Sequence, residues 1–225
     1  MKAIGMGGTG DNTKLLKSGY GHVDTASHYG NEENIGIGII RSGIPRDQIF
    51  ITTKIWDTDQ GYESTLKAAE TSLSNLRISY VDLLLIHSPR PCPQKRAEAY
   101  RALQELVKLG KVRSIGVSNY GVKHLKELMD TNPEIMPAVN QIEVHPWNTR
   151  KEIVSYCTEH KIIVEAFSPL TRGKKSNDQP SKQFCTIAKN MNKMHIIENT
   201  KVYDFMIEDE DMKILDGLDE YFIAC

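Results

Sequence analysis

Short apolar runs rich in β-branched residues recur along this 225-residue chain, and each is followed by a stretch whose apolar positions return every three or four residues. The first pattern suits strands and the second suits helices. Seven runs read as strands: Ala3 to Gly8, His22 to Ala26, Phe50 to Trp56, Val81 to His87, Ser114 to Ser118, Ala138 to Val144 and Ile162 to Phe167. The fourth carries Val81, Leu83, Leu84, Leu85 and Ile86, so both of its alternating faces are apolar, as in a parallel strand covered on two sides. Between the strands, Leu66, Ala69, Leu73 and Leu76 form one helical stripe. Leu103, Leu106 and Val107 form another, ahead of Gly110, a residue suited to ending a helix. The first helix is short, with only Asp11 to Ser18 available to it. Strands and helices alternating in this way make parallel βα units, and residues 1–225 are expected to form a single domain of barrel type. No repeat or low-complexity tract interrupts the series, and Thr171 to Ser181 reads as its one linker-like stretch.

Charge and cysteine usage narrow the function classes. Lys and Arg number 28 against 29 Asp and Glu, a net charge of -1, so there is no basic excess with which to follow a nucleic-acid backbone. Cys92, Cys157, Cys185 and Cys225 are widely spaced and form no CxxC pair, which suggests neither a zinc site nor a dense disulfide framework. No leader-like or bilayer-length apolar run is visible, so a cytoplasmic protein with no membrane partner is expected.

If the strands close into a barrel, their C-terminal ends share one face, where such enzymes do their chemistry. Asp24 closes the second run with Tyr29 just beyond; Lys54 lies in the third; His87 closes the fourth; Ser118 and Asn119 close the fifth; Gln141 lies in the sixth; Ser168 follows the seventh. A lysine inside Phe50-Ile51-Thr52-Thr53-Lys54-Ile55-Trp56 is costly to bury without a carboxylate, and Asp24 on the adjacent strand is the topological candidate. An ammonium near a phenol favours phenolate, which makes Tyr29 a better proton donor, while His87 could orient a carbonyl. Each residue also has a plainer reading: Tyr29 as a packing aromatic, Lys54 as a solvent-reaching strand residue, His87 as a satisfied core histidine, Asp24 as a cap.

Several segments together resemble the aldo-keto reductase family. Gly21-His22-Val23-Asp24-Thr25-Ala26-Ser27-His28-Tyr29-Gly30-Asn31-Glu32 resembles its first signature, and Ile51-Thr52-Thr53-Lys54-Ile55-Trp56 resembles the lysine segment. Leu85-Ile86-His87-Ser88-Pro89 resembles the histidine segment. Gly110-Lys111-Val112-Arg113-Ser114-Ile115-Gly116-Val117-Ser118-Asn119-Tyr120 and Asn140-Gln141-Ile142-Glu143-Val144-His145-Pro146 resemble two further signatures. The resemblance implies an α/β fold of (β/α)₈ TIM-barrel type that reduces small carbonyl compounds with NADPH, or NADH, as a monomer. It implies a catalytic tetrad of Asp24, Tyr29, Lys54 and His87, with Tyr29 giving the proton as hydride reaches the carbonyl carbon. Ser118, Asn119 and Gln141 would hold the nicotinamide carboxamide. Ala166-Phe167-Ser168-Pro169-Leu170 resembles the segment whose aromatic stacks on the nicotinamide, here Phe167 where Tyr is usual, so Phe167, Ser168 and Leu170 join the cofactor site. Trp56 is a candidate wall of the substrate pocket beside His87, or else a buried rim residue. The connection from Pro89 to Tyr100 is short, as in the family's microbial and fungal group, leaving an open mouth for small substrates.

The chain also departs from that pattern. After Thr186-Ile187-Ala188-Lys189-Asn190-Met191-Asn192-Lys193 the family continues with a helix, an eighth strand and a Pro-Lys-Ser motif that grips the adenosine phosphate. Here Met194-His195-Ile196-Ile197-Glu198-Asn199 follows at once, similar to the family's Arg-Ile-x-Glu-Asn element with His195 in the arginine position. The chain therefore reads as shortened internally, and the barrel as incomplete, its eighth strand missing and two edges unpaired. Glu198 and Asn199 would meet the adenine or cap a helix; Lys174 and Lys175 are the basic residues that could stand in at the phosphate. Two rivals remain. Gly5-Met6-Gly7-Gly8-Thr9-Gly10 fits GxGxxG, but only four residues precede it and no acidic residue follows at the spacing a Rossmann unit needs. The second is an impaired aldo-keto reductase-like barrel that binds a nucleotide or a partner protein without turnover.

Charge-assisted contacts contribute roughly 1.5 to 3 kcal/mol each, so loss of two should weaken NADPH binding by about 10² to 10⁴ and erode its preference over NADH. Restoring the helix and strand ahead of His195, with His195→Arg, should recover both. Calorimetry showing tight, NADPH-selective binding by the unaltered chain would overturn this expectation.

Overall fold

The computed structural model describes residues 3–5, 13–17, 19–169, 171, 174, 185–187, 210, 213, 215 and 217–224. Its strands are β1 (Ala3–Gly5), β2 (His22–Asp24), β3 (Phe50–Ile55), β4 (Val81–Ile86), β5 (Val112–Ser118), β6 (Val139–Glu143), β7 (Ile163–Phe167) and β8 (Cys185–Ile187). They pair in sequence order, every ladder parallel, from β1 to β8. Helices α1 (Thr13–Lys17), α2 (Glu32–Ser42), α3 (Tyr62–Leu76), α4 (Pro93–Lys108), α5 (Val122–Asp130) and α6 (Lys151–Glu159) form the crossovers between successive strands from β1 to β7. This is the α/β barrel arrangement, and all seven strands read from the sequence are present.

The barrel is incomplete at one seam. β8 occupies the eighth position, which the sequence reading leaves vacant, with Glu165, Ala166 and Phe167 of β7 in register with Cys185, Thr186 and Ile187. The pairing falls on a short Cys-Thr-Ile run ahead of Lys193. β8 approaches β1, yet among the described residues no ladder joins the two.

Alternation along the strands separates two environments. Outward positions Val23, Ile51, Leu84, Ile115 and Val117 are fully buried against helical residues that include Ile35, Leu76, Leu103, Leu106 and Leu125. Each such side chain contributes about 1.5–3 kcal/mol, so this outer layer supplies most of the hydrophobic stabilisation. Inward positions carry His22, Asp24, Thr52, Lys54, Gln141 and Glu165, all buried and polar. At Gly116 of β5 a Cβ would lie 2.4 Å from the Val139 carbonyl oxygen and 2.9 Å from Leu85, so no larger residue fits between β4 and β6.

Helix ends follow local chemistry. α2 opens with Glu32 and Glu33 in its first turn, where carboxylates favour the positive end of the helix dipole, and closes on Gly43 at φ 70°. α4 begins at Pro93, whose fixed φ and missing N–H suit a first helical position, and continues through the helix formers Gln94 to Ala97. The connection after β4 is therefore only 87–92, shorter than the Pro89 to Tyr100 span expected from the sequence. α4 gives way to Leu109, and Gly110 then turns the chain at φ 70°, as the Leu103, Leu106 and Val107 stripe anticipates. No helix of the described residues is long and apolar enough to cross a membrane.

Candidate active site

The polar strand ends meet at one mouth of the barrel. Lys54, 1% exposed, donates from Nζ to Asp24 Oδ1 at 2.6 Å and to the Thr25 carbonyl at 2.9 Å. Burial works to lower the Lys54 pKa, but Asp24 foremost, with Tyr29 and Glu165 behind it, outweighs that and the net shift is upward. Lys54 is thus held as an ammonium inside the barrel. Tyr29 sits in the 3-10 turn Ser27–Tyr29, which Ser27 ties to β3 by donating to the Lys54 carbonyl at 3.0 Å. Lys54 Nζ is 5.3 Å from the centroid of the Tyr29 ring, and that ring is 43% exposed at the mouth.

His87, directly after β4, stands edge-on to Tyr29 with centroids 5.6 Å apart and edge-on to Trp56 at 4.9 Å. Burial, then the positive charges of Lys54, His28 and Arg90, push its pKa down to about 3, so its imidazole is neutral at ordinary pH. Its Nδ1 is buried with no hydrogen-bond partner among the described residues. Trp56 stacks flat on His28, 3.5 Å between centroids and 8° between planes. The four residues of the expected tetrad and Trp56 are therefore brought together.

The neighbouring strand ends form a shelf. Ser118 Oγ donates to the Gln141 carbonyl at 2.8 Å, and Asn119, left-handed at φ 62°, donates from Nδ2 to the His87 carbonyl at 3.0 Å and to Ser118 Oγ at 3.1 Å. Gln141 Nε2 donates to Asp24 Oδ2 at 2.8 Å and to Glu165 Oε2 at 3.0 Å. Both amide protons face the interior, so the Gln141 Oε1 is left as an acceptor, and no hydrogen bond among the described residues engages it. Phe167 ends β7 half-buried, and Ser168 turns the chain at φ 50°. Leu170, Lys175, His195, Glu198 and Asn199 lie outside the described residues. Lys174 donates to the Ala224 carbonyl at 2.9 Å, so its ammonium is engaged by the C-terminal segment.

Sequence reasoning missed three participants: His28, Glu165 and His22. Glu165 is 3% exposed, and burial, then Asp24, raise its pKa to about 7 against the opposing effects of Gln141 and Lys54. His22 bonds Thr52 Oγ1 at 2.8 Å and lies 3.8 Å from Glu165; burial foremost lowers its pKa to about 4. For His22 the signal was present, because alternation places it on the same face as Asp24; for Glu165 it appears only with the register that pairs it with Gln141. An open groove of about 400 Å³ between α4 and α5, lined by Arg96, Tyr120, His124 and Glu127 among others, shares no residue with this constellation. Among the described residues no cluster of His, Cys, Asp and Glu is placed to hold a metal.

Comparison with known proteins bears on the chain as a whole. The aldo/keto reductase family model matches residues 12–188. The chain is 42% identical to glyoxal reductase of Bacillus subtilis, over 91% of this chain and 81% of that protein. It is 39% identical to the 9,11-endoperoxide prostaglandin H2 reductase of Trypanosoma cruzi, over 91% of this chain and 80% of that one. Among solved structures, a deep-sea metagenome aldo-keto reductase superposes with TM-score 0.92 at 35% identity, over 99% of this chain and 92% of that one. The Bombyx mori aldo-keto reductase in complex with NADP superposes with TM-score 0.89 at 28% identity, over 100% and 90%.

Two outcomes follow from the buried charges. Asp24→Asn should destabilise the chain by about 3 kcal/mol or more, since it leaves Lys54 without its counter-ion, and an unchanged denaturation midpoint would refute the pairing. The pH profile has opposing parts. Glu165 at about 7, against an ordinary 4.5, gives stability that is present at low pH and lost as pH rises through 7; His22 at about 4 and His87 at about 3, against 6.5, give stability present above 6.5 and lost on acidification. Between about pH 4.5 and 6.5 the folded chain therefore binds one proton more at Glu165 and one fewer at each histidine, and its stability rises with pH. Glu165→Gln should steepen that rise in thermal melts; an unaltered slope counts against the assignment.

Proposed function

Since this chain belongs to the aldo/keto reductase family of oxidoreductases, we propose that it reduces small aldehydes or ketones to alcohols with NADPH, NADH being the alternative donor. The observation that carries this reading is the Lys54–Asp24 pair set beneath the Tyr29 ring, with His87 edge-on beside it. Bound cofactor supplies the hydride. Tyr29 gives its phenolic proton to the carbonyl oxygen, so the alkoxide that would otherwise form is neutralised as it develops. Lys54 stabilises the negative charge left on the phenol, and Asp24 keeps Lys54 charged and pointed inward. A neutral His87 has a ring N–H to offer the substrate oxygen without adding a second cation beside Lys54. Trp56, braced by His28, gives an apolar wall. The six-residue connection 87–92 adds no long lid over the mouth, which suits small substrates, and a relative named for glyoxal reduction is in keeping with that size.

The shelf fits the nicotinamide end of the cofactor. A carboxamide needs an acceptor for its amino group and a donor for its oxygen; Gln141 Oε1 is an acceptor of that kind, and the Ser118 hydroxyl would supply the donor by turning from the Gln141 carbonyl it bonds here, with Asn119 beside them. Phe167 retains the flat ring for stacking and lacks only the hydroxyl of a tyrosine.

Tyr29→Phe removes the proton and little else. It should lower kcat at least about 100-fold, the scale of general acid catalysis, while cofactor affinity by fluorescence titration stays within about threefold. Full retention of carbonyl reduction by the variant assigns the proton to another group.

A further inference from the structure

The tetrad leaves one buried acid unexplained. Glu165 has no place in proton donation to the substrate, yet it is 3% exposed inside the barrel, where an unpaired polar group is expensive. Its Oε2 accepts from the same amide nitrogen that bonds Asp24, so two carboxylates grip one –NH₂ group from opposite sides, at 2.8 and 3.0 Å. That grip has a directional consequence. If the Gln141 amide turned over, its carbonyl oxygen would face Asp24 Oδ2, lone pair against lone pair in a dry site. Protonation of Glu165 does not relax the constraint, because Asp24 and the remaining carbonyl oxygen of Glu165 still accept.

We propose that Glu165 is a positioning residue of this active site: together with Asp24 it locks the Gln141 side-chain amide so that Oε1 is presented to the carboxamide amino group of the nicotinamide. The proposal rests on the cofactor reading above and adds to it a residue that acts through Gln141 and does not itself touch the cofactor. The scaffold supports the role. Gln141 and Glu165 are direct register partners on adjacent parallel strands, so their separation is fixed by the ladder and not by loop geometry. Glu165 is in turn backed by His22 at 3.8 Å, itself held by Thr52. Asp24 is shared: one oxygen serves Lys54 and the other Gln141, so the proton-donating side of the site and the cofactor shelf are braced by one carboxylate.

The test compares two reduced cofactors by calorimetry: NADPH, and its 3-acetylpyridine analogue, which keeps the ring carbonyl but has a methyl in place of the amino group. Glu165→Leu and Glu165→Asp, the second too short to reach Gln141, should each weaken NADPH about tenfold and change the analogue by less than about twofold. Glu165→Gln, which can still accept through its own amide oxygen, should keep NADPH within about threefold of the parent. Circular dichroism identifies any variant that fails to fold, and Glu165→Asp and Glu165→Gln keep the comparison open if Glu165→Leu does so. Equal weakening of both cofactors makes Glu165 a structural residue and overturns the proposal, as does no weakening of either. Gln141→Leu separates the two levels of inference. If it discriminates between the cofactors and the Glu165 variants do not, Glu165 alone is wrongly assigned; if it does not discriminate, the carboxamide role of Gln141 fails. A parent chain that binds neither cofactor overturns the cofactor reading itself.

Discussion

A lysine ammonium buried inside a barrel is the constraint around which this molecule is arranged. Removing such a charge from water costs several kcal/mol even after relaxation, and only a close counter-ion with further hydrogen bonds offsets it. Lys54 obtains both from Asp24 and the Thr25 carbonyl. Asp24 then has a second oxygen to satisfy, which brings in Gln141; Gln141 has a second proton, which brings in Glu165; and Glu165 stands beside His22. One charge thus propagates into a polar chain across β2, β3, β6 and β7. The interior of the barrel cannot at the same time be the main apolar core, and the hydrophobic layer lies instead between strands and helices.

The arrangement separates two demands on the same strands. Outward side chains hold the helices and set stability, while inward ones set charge and orientation at the mouth. At His87 the same desolvation that penalises protonation keeps the imidazole neutral beside an ammonium, so the mouth holds one cation and one neutral ring. The cluster of Asp24, Tyr29, Lys54 and His87 and the neighbouring shelf of strand ends are joined as well, since Asn119 Nδ2 donates to the carbonyl of His87.

Much of this was legible in the sequence because the strands are short and their periods clean. Every apolar run matched a strand, and Asp24, Lys54 and His87 stood out as polar residues within or closing apolar runs, all three now placed at the mouth. Glu165 did not, because Ile163-Val164-Glu165-Ala166-Phe167 reads as an apolar strand with one charge, and its purpose appears only when register sets it beside Gln141. His28 was hidden by its exposed turn, and its stack on Trp56 depends on how two loops fold toward each other. β8 escaped notice for a different reason. A three-residue strand has too little period to recognise, and its existence depends on the edge that β7 offers it.

The two-sided strands also bear on how this chain can change over generations. Outward positions such as Val23, Ile51 and Leu84 face apolar neighbours and can drift among side chains of similar volume with small penalties. Inward positions are bound by complementarity of charge and donor, so a lone apolar substitution at 24, 54, 141 or 165 strands its partner in a buried interior, and only a replacement that keeps the acceptor or donor, such as Gln at 165, avoids it. Drift there favours paired or acceptor-conserving replacement, which predicts a barrel lining that changes more slowly than the outer layer.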